Sequence, residues 1–254
     1  MCETKKLKIF QGFSQLKKRR KNLKLLVCIT GPNPAFSTLV SSPGTISIFA
    51  NHSYTYLKKF NLDGIDIDWE FPVWSRDARK TDRTEFTLLL KASQDIYFPG
   101  PPTITKVAYD VPSFNRYVDL VQVMNYDFHV FSYLFPFVGF NAPLRRLNGE
   151  AGIAGKMNSE AAMAEYAKMG LWSNKTVFGI PAYGLGYRLA NWRVNKPYAP
   201  ATSTVDDYTN FDEICKLLAD RQRYTYVWNE QAASPYIHGN FHIHGNKHIP
   251  TDHI

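Results

Sequence analysis

The sequence contains no uninterrupted apolar run of about 18 residues, the length a membrane-spanning helix needs, so no transmembrane helix is expected. Its opening stretch, MCETKKLKIF, lacks the long apolar segment of a secretory signal. Cysteine is scarce: Cys2, Cys28 and Cys215 are odd in number and far apart. At least one must lack a partner within the chain, and none stands at a zinc-binding spacing. Internal repeats are absent too. What the 254 residues do have is 44% hydrophobic and 15% aromatic side chains, a globular composition in a chain long enough to bury a real core.

The net charge is +8, densest at Lys17-Lys18-Arg19-Arg20-Lys21. No aromatic interleaves that run, and it precedes an apolar strand, so it reads as a solvated helix end rather than a polyanion site. Neither nucleic acid nor a membrane is expected as a partner. His238, His242, His244, His248 and His253 crowd the last residues. His242 and His244 would share one strand face, but no Cys or acid joins them at a ligand spacing. Residues 245–254 therefore read as an exposed tail, with no metal site and no organic cofactor expected.

Along the chain, Thr4–Lys21 has Leu7, Phe10, Phe13 and Leu16 at helical spacing. Leu23–Thr30 is a continuous apolar run, suited to a parallel strand buried on both sides. Pro43-Gly44 breaks the chain, and Ile46–Phe60 follows as a helix. Arg83–Asp95 is the next helix, with Asp82 available as its cap. Val118–Tyr126 and Thr176–Ala182 read as strands, separated by a helix over Asn158–Gly170. The alternation of strand and helix predicts an α/β fold built on a parallel sheet.

One strand carries the chemistry. Leu62–Pro72 reads LDGIDIDWEFP. Strand alternation puts Asp66, Asp68 and Glu70 on one face and Ile65, Ile67, Trp69 and Phe71 on the other. Acids two apart on a strand stand about 6.5–7 Å apart at the backbone, close enough to perturb one another's ionisation. Gly64 lets the chain enter the strand and Pro72 stops it.

Asp63-x-x-Asp66-x-Asp68-x-Glu70, with Trp69 before the glutamate, resembles the signature of family 18 glycoside hydrolases, the chitinases and chitinase-like lectins. Met124-Asn125-Tyr126-Asp127 resembles the family's sixth-strand motif, and Gly179-Ile180-Pro181-Ala182-Tyr183-Gly184 its seventh. Segments of Tyr198–Ile243, including Asp212–Cys215 and Pro235–Asn240, are similar to the small α+β domain inserted after strand seven. The resemblance implies a (β/α)8 TIM barrel of the chitinase type, incomplete here. Strands one, two and eight have no counterpart, and strand five is eroded, with Pro99-Gly100-Pro101-Pro102 in its place. It implies a partial barrel over 1–197, the insertion over 198–244 and the tail over 245–254.

The resemblance also implies the site. Glu70 would be the general acid and then the base, its pKa raised by Asp68 beside it. Asp68 would orient the substrate's N-acetyl group, and Asp66 would share a proton with Asp68. Tyr126 would hydrogen-bond the acetamido group and Asp127 would hold sugar or water. Met124, Tyr183, Tyr236 and Asn33 would contact substrate, with Asp63 supporting from behind. Thr30-Gly31-Pro32-Asn33 stands where the family usually has Gly-Gly-Trp-Asn, so the stacking tryptophan is replaced by proline. The implied partner is chitin or a chitooligosaccharide, bound by an extracellular monomer that cleaves β-1,4 links between N-acetylglucosamine units. Two other readings are a non-hydrolytic lectin and an inactive partial gene product. Retention of Glu70 favours the enzyme over the lectin.

Overall fold

The computed structural model describes residues 12–13, 15–92, 96–97, 102–205, 208–243 and 247–253. They form two compact units: Met1–Met124 with Glu165–Phe178, and Asn125–Ala164 with Gly179–Ile254. Among the described residues no helix is long and apolar enough to cross a membrane.

The first unit is built on a parallel sheet. Strand β1 (Leu26–Thr30) leads into helices α1 (Asn33–Leu39) and α2 (Pro43–Phe60), then β2 (Gly64–Asp68). Cys28 stands opposite Asp66 and Thr30 opposite Asp68 in the β1–β2 ladder. Pro43 does not break the chain, as its sequence context suggested; it opens α2. Its missing N–H is one the first turn leaves unsatisfied anyway, and the Ser42 hydroxyl accepts from the Thr45 amide at 3.2 Å. Asn61, left-handed at φ 53°, ends that helix.

Helix α3 (Asp82–Ala92) contains Asp82 rather than being capped by it. The fully buried Asp82 carboxylate instead accepts from the Ser37 hydroxyl at 2.9 Å and the Arg79 amide at 2.7 Å, pinning α1 to the α3 entry. Strand β3 (Ile96–Tyr97) is two residues long, yet it pairs in parallel with β2 on one side and β4 on the other. Helix α4 (Pro102–Ala108) begins at the last proline of the expected interruption; residues 98–101 lie outside the described residues. Helix α5 (Val111–Tyr117), strand β4 (Val121–Val123), the C-terminal residues of helix α6 (Ser159–Lys168) and strand β5 (Thr176–Phe178) follow. The sheet order is β1-β2-β3-β4-β5. Of the expected N-terminal helix, 12–13 and 15–19 are helical, and 4–11 and 14 lie outside the described residues.

β1 is not buried on both sides. Its burial alternates, with Leu26 38% exposed, because among the described residues its only ladder partner is β2. The core lies deeper, in Ile65, Ile67, Trp69, Phe86, Leu89, Phe114 and Val121, all 3% exposed or less.

The second unit carries β6 (Tyr183–Gly184), β7 (Gly186–Leu189), β8 (Ala201–Thr204), β9 (Thr209–Asn210), helix α7 (Phe211–Ala219), β10 (Tyr224–Asn229), β11 (Ser234–Ile243) and β12 (Lys247–His253). An antiparallel sheet runs β10-β11-β12-β7-β8. Two boundaries differ from the sequence-based expectation. Residues 247–253 are not a free tail, because β12 pairs with both β11 and β7. Nor does the small unit begin at 198. Val138 and Phe140 pack with Leu185, Tyr187 and Leu189, so the segment after Asn125 belongs with it. Side chains at Gly139 would overlap the His129 ring, which is why glycine stands there. His244, and with it the His242–His244 ligand expectation, lies outside the described residues.

Candidate active site

The ladder of β2 stops at Asp68, two residues before Glu70. It stops because side chains take over the hydrogen bonds. The Tyr109 hydroxyl donates to the Trp69 carbonyl at 2.7 Å, and the Asn33 amide donates to the Glu70 carbonyl at 2.9 Å. The Phe71 amide then donates to the Ser75 hydroxyl at 2.9 Å. The Glu70–Phe71 peptide is cis. The Trp69 ring is fully buried, stacked on Phe36 at 5.1 Å and 12° and edge-on to Phe86 at 5.4 Å and 89°. Such ring geometries are the favoured ones, so the wall behind the acids is rigid.

Asp66 is buried and accepts from Gln122 Nε2 at 3.3 Å. Asp68 is half-buried and Glu70 exposed, and their side chains share a hydrogen bond. Burial raises the Asp68 pKa above its ordinary value, and the bond with Glu70 opposes that without cancelling it. Across the ladder, the Cys28 thiol is pushed up to about 11 by desolvation and by the negative charges of Asp66 and Asp68.

Asp63 does not join this group. It precedes the other end of β2, where its carboxylate meets Lys17 at 2.8 Å, Lys24 at 3.4 Å and the Leu25 amide at 2.7 Å. Desolvation would raise its pKa, but the Lys17 and Leu25 hydrogen bonds and the two lysine charges hold it lower. Its role is to tie the basic N-terminal helix to the sheet. Asn33, expected to face substrate, is engaged by the protein: its Oδ1 accepts from Trp69 Nε1 at 2.7 Å while its Nδ2 serves Glu70. Met124 follows β4, half-buried.

The second unit holds its own constellation. Tyr183 Oη donates to Asp127 Oδ1 at 2.8 Å, with the Tyr126 ring 6.1 Å from Tyr183 and the Tyr208 ring 5.0 Å from it on nearly perpendicular planes. Burial, then the hydrogen bond and charge of Asp127, push the Tyr183 phenol far above its usual range, so it stays a donor. Asn141 builds this corner. Its Oδ1 accepts from the left-handed Asp127 amide, its Nδ2 donates to the Tyr183 carbonyl, and its own carbonyl accepts from Phe128. Tyr236 lies 6.1 Å from Phe140 and lines a cavity of about 340 Å³ with Tyr183, Tyr226, Phe211 and Ile214. Asn141, Tyr109 and Ser75 escaped the sequence analysis. Asn141 and Tyr109 are revealed by burial and distant partners, and Ser75 by its bond to Phe71, none of which is a spacing signal.

Among the described residues no group of three or more His, Cys, Asp and Glu could hold a metal ion. The titratable side chains gathered in these two constellations are carboxyl groups and phenols. A half-buried acid hydrogen-bonded to an exposed one can retain and pass a proton.

The chain is similar in sequence and fold to known proteins. The chain is 29% identical over 214 residues to chitotriosidase-1 of Mus musculus, covering 76% of this chain and 46% of that protein. It is 27% identical over 248 residues to probable chitinase 2 of Drosophila melanogaster, covering 88% and 49%. It therefore spans about half the length of these curated relatives. The structure of an Ostrinia furnacalis Group IV chitinase in complex with allosamidin superposes with a TM-score of 0.81 at 28% identity, covering 90% of this chain and 67% of that one. The fold is thus of the kind seen in chitinases, the TIM barrel. The family model for glycosyl hydrolases family 18 matches residues 1–247, and the chain belongs to that family.

Proposed function

We propose that this chain binds β-1,4-linked N-acetylglucosamine polymers and hydrolyses them with retention of configuration, the substrate's own N-acetyl oxygen attacking the anomeric carbon. The observation that carries the reading is the hydrogen-bonded Asp68–Glu70 pair at the exit of β2, with Asp68 shifted toward the protonated form. Glu70 protonates the leaving oxygen and later activates water. Asp68 orients the acetamido group and balances the positive charge developing on it, and Asp66 exchanges a proton with Asp68. Tyr126 donates to the acetamido group and Asp127 holds sugar or water. Tyr183, Tyr236 and Met124 contact the chain of sugars. No cofactor takes part.

On this reading β1 to β5 correspond to barrel strands three to seven. Strands one, two and eight are then not among them, and β3 is what is left of strand five. The antiparallel sheet of the second unit corresponds to the α+β insertion. The protein acts outside the cell, as a monomer.

The test is the anomeric configuration of the first product, followed by NMR, with inhibition by a thiazoline analogue of N-acetylglucosamine. Retention with inhibition supports the mechanism. An inverted first product contradicts it.

A further inference from the structure

The Asn33 carboxamide is engaged at both ends by groups that leave its orientation no freedom. An indole N–H can only donate and a main-chain carbonyl can only accept. Asn33 Oδ1 must therefore face Trp69 Nε1, at 2.7 Å, and Nδ2 must face the Glu70 carbonyl, at 2.9 Å. The amide bridges the buried Trp69 ring and the Glu70 peptide. Trp69 is 0% exposed and held by Phe36 and Phe86. Glu70 lies two residues beyond the last β1–β2 ladder pair, Thr30 with Asp68.

Asn33 is itself fixed. It is the first residue of α1 and stands between Pro32, at φ −67° and ψ 147°, and Pro34. Proline on both sides narrows its backbone freedom, so its side chain projects from a stiff base. The Tyr109 hydroxyl holds the preceding carbonyl, of Trp69, at 2.7 Å. Two consecutive peptide groups are thus captured by side chains 37 and 40 residues away in sequence.

We infer that Asn33 is a positioning residue for Glu70: it fixes the main chain from which the acid projects by bracing it against the buried Trp69 indole, rather than by holding sugar. The inference rests on the proposed role of Glu70. Pro32 offers little surface to a sugar ring, whereas the amide of Asn33 serves the protein itself.

Two variants separate the possibilities. Asn33→Asp keeps the acceptor for Trp69 but, when ionised, cannot donate to Glu70. Asn33→Ala removes both bonds and adds no charge. The clamp is read directly by NMR, through the Glu70 carbonyl carbon correlated with the Phe71 amide and the Trp69 indole N–H resonance. In Asn33→Asp the Glu70 carbonyl moves upfield while the indole resonance persists; in Asn33→Ala both change. For hydrolysis of a chitooligosaccharide, kcat falls about 10- to 100-fold in either variant with KM nearly unchanged, as expected for a displaced acid. A raised KM with unaltered kcat would make Asn33 a substrate contact and overturn the inference, as would an unmoved Glu70 carbonyl. Should the wild-type chain hydrolyse nothing, the proposed function fails separately. The Glu70 carboxyl carbon resonance in Asn33→Ala then decides: displacement supports positioning, and an unchanged resonance refutes it.

Discussion

The Tyr183 hydroxyl donates to the Asp127 carboxylate at 2.8 Å, an interaction in which the phenol must keep its proton. Burial and the Asp127 charge both push its pKa up. Tyr166, Tyr187 and Tyr198 are also raised, in each case chiefly by burial. A folded state that holds protons which the unfolded chain releases near 10 loses stability as pH rises past that value. Absorbance titration at alkaline pH should therefore show these tyrosines ionising well after the others while the fold persists. Tyr183→Phe should cost about 1 kcal/mol of stability through the lost bond. Full ionisation of all tyrosines near pH 10 in the folded protein would contradict this.

Asp68 gives a second pH dependence, at the acidic end. Its folded pKa lies above the ordinary 3.8, so the native state binds this proton more tightly than the unfolded chain does. Stability from this group is therefore present at low pH and is lost as pH rises through 3.8 toward the raised value. Asp68→Asn, which cannot ionise, should melt higher than wild type at pH 7, and the gap should close near pH 3. The variant should at the same time lose hydrolysis. A melting-temperature gap independent of pH would show that the Asp68 charge is not strained.

Much of this was legible in the order of residues, and the failures have identifiable causes. The acidic strand is visible because Gly64–Asp68 alternates and its neighbours do not compete for it. Its end is not visible, because Asn33 and Tyr109 terminate it from 37 and 40 residues away. The apolar run of β1 suggested burial on both sides, but apolar content cannot say how many neighbours a strand has. Pro43 and Pro102 read as breaks, yet proline at a first turn starts a helix as readily as it ends one. The tail was misjudged because its histidines mask the pairing of β12, a backbone property to which side-chain chemistry is blind. Within the candidate site, Asp66, Asp68 and Glu70 were singled out by strand alternation together with the family resemblance. Asn141 could not be, since its three bonds are made to groups 13, 14 and 42 residues distant.

Cys28 reports on the acids from across the ladder. It is exposed, yet its thiol is raised from 9.0 to about 11. At pH 9 only about 1% of it is thiolate, so alkylation by iodoacetamide should run about 50-fold slower than for an unperturbed cysteine. Asp68→Asn should speed the reaction by removing one of the opposing charges. Alkylation at the ordinary rate in wild type would show that neither burial nor the Asp66 and Asp68 charges raise this thiol.

The most direct measurement is the initial rate of chitooligosaccharide hydrolysis by wild type and Glu70→Gln, each shown by circular dichroism and thermal melting to be folded. Glutamine preserves the shape of the side chain and its contact with Asp68 but cannot deliver a proton. Loss of a general acid costs about 10²–10⁴ in rate. The predicted result is a measurable wild-type turnover reduced by about that factor in the variant, with oligosaccharide binding retained. Equal turnover by the two proteins would contradict the assignment of Glu70, and no turnover by either would contradict hydrolysis as the function of this chain.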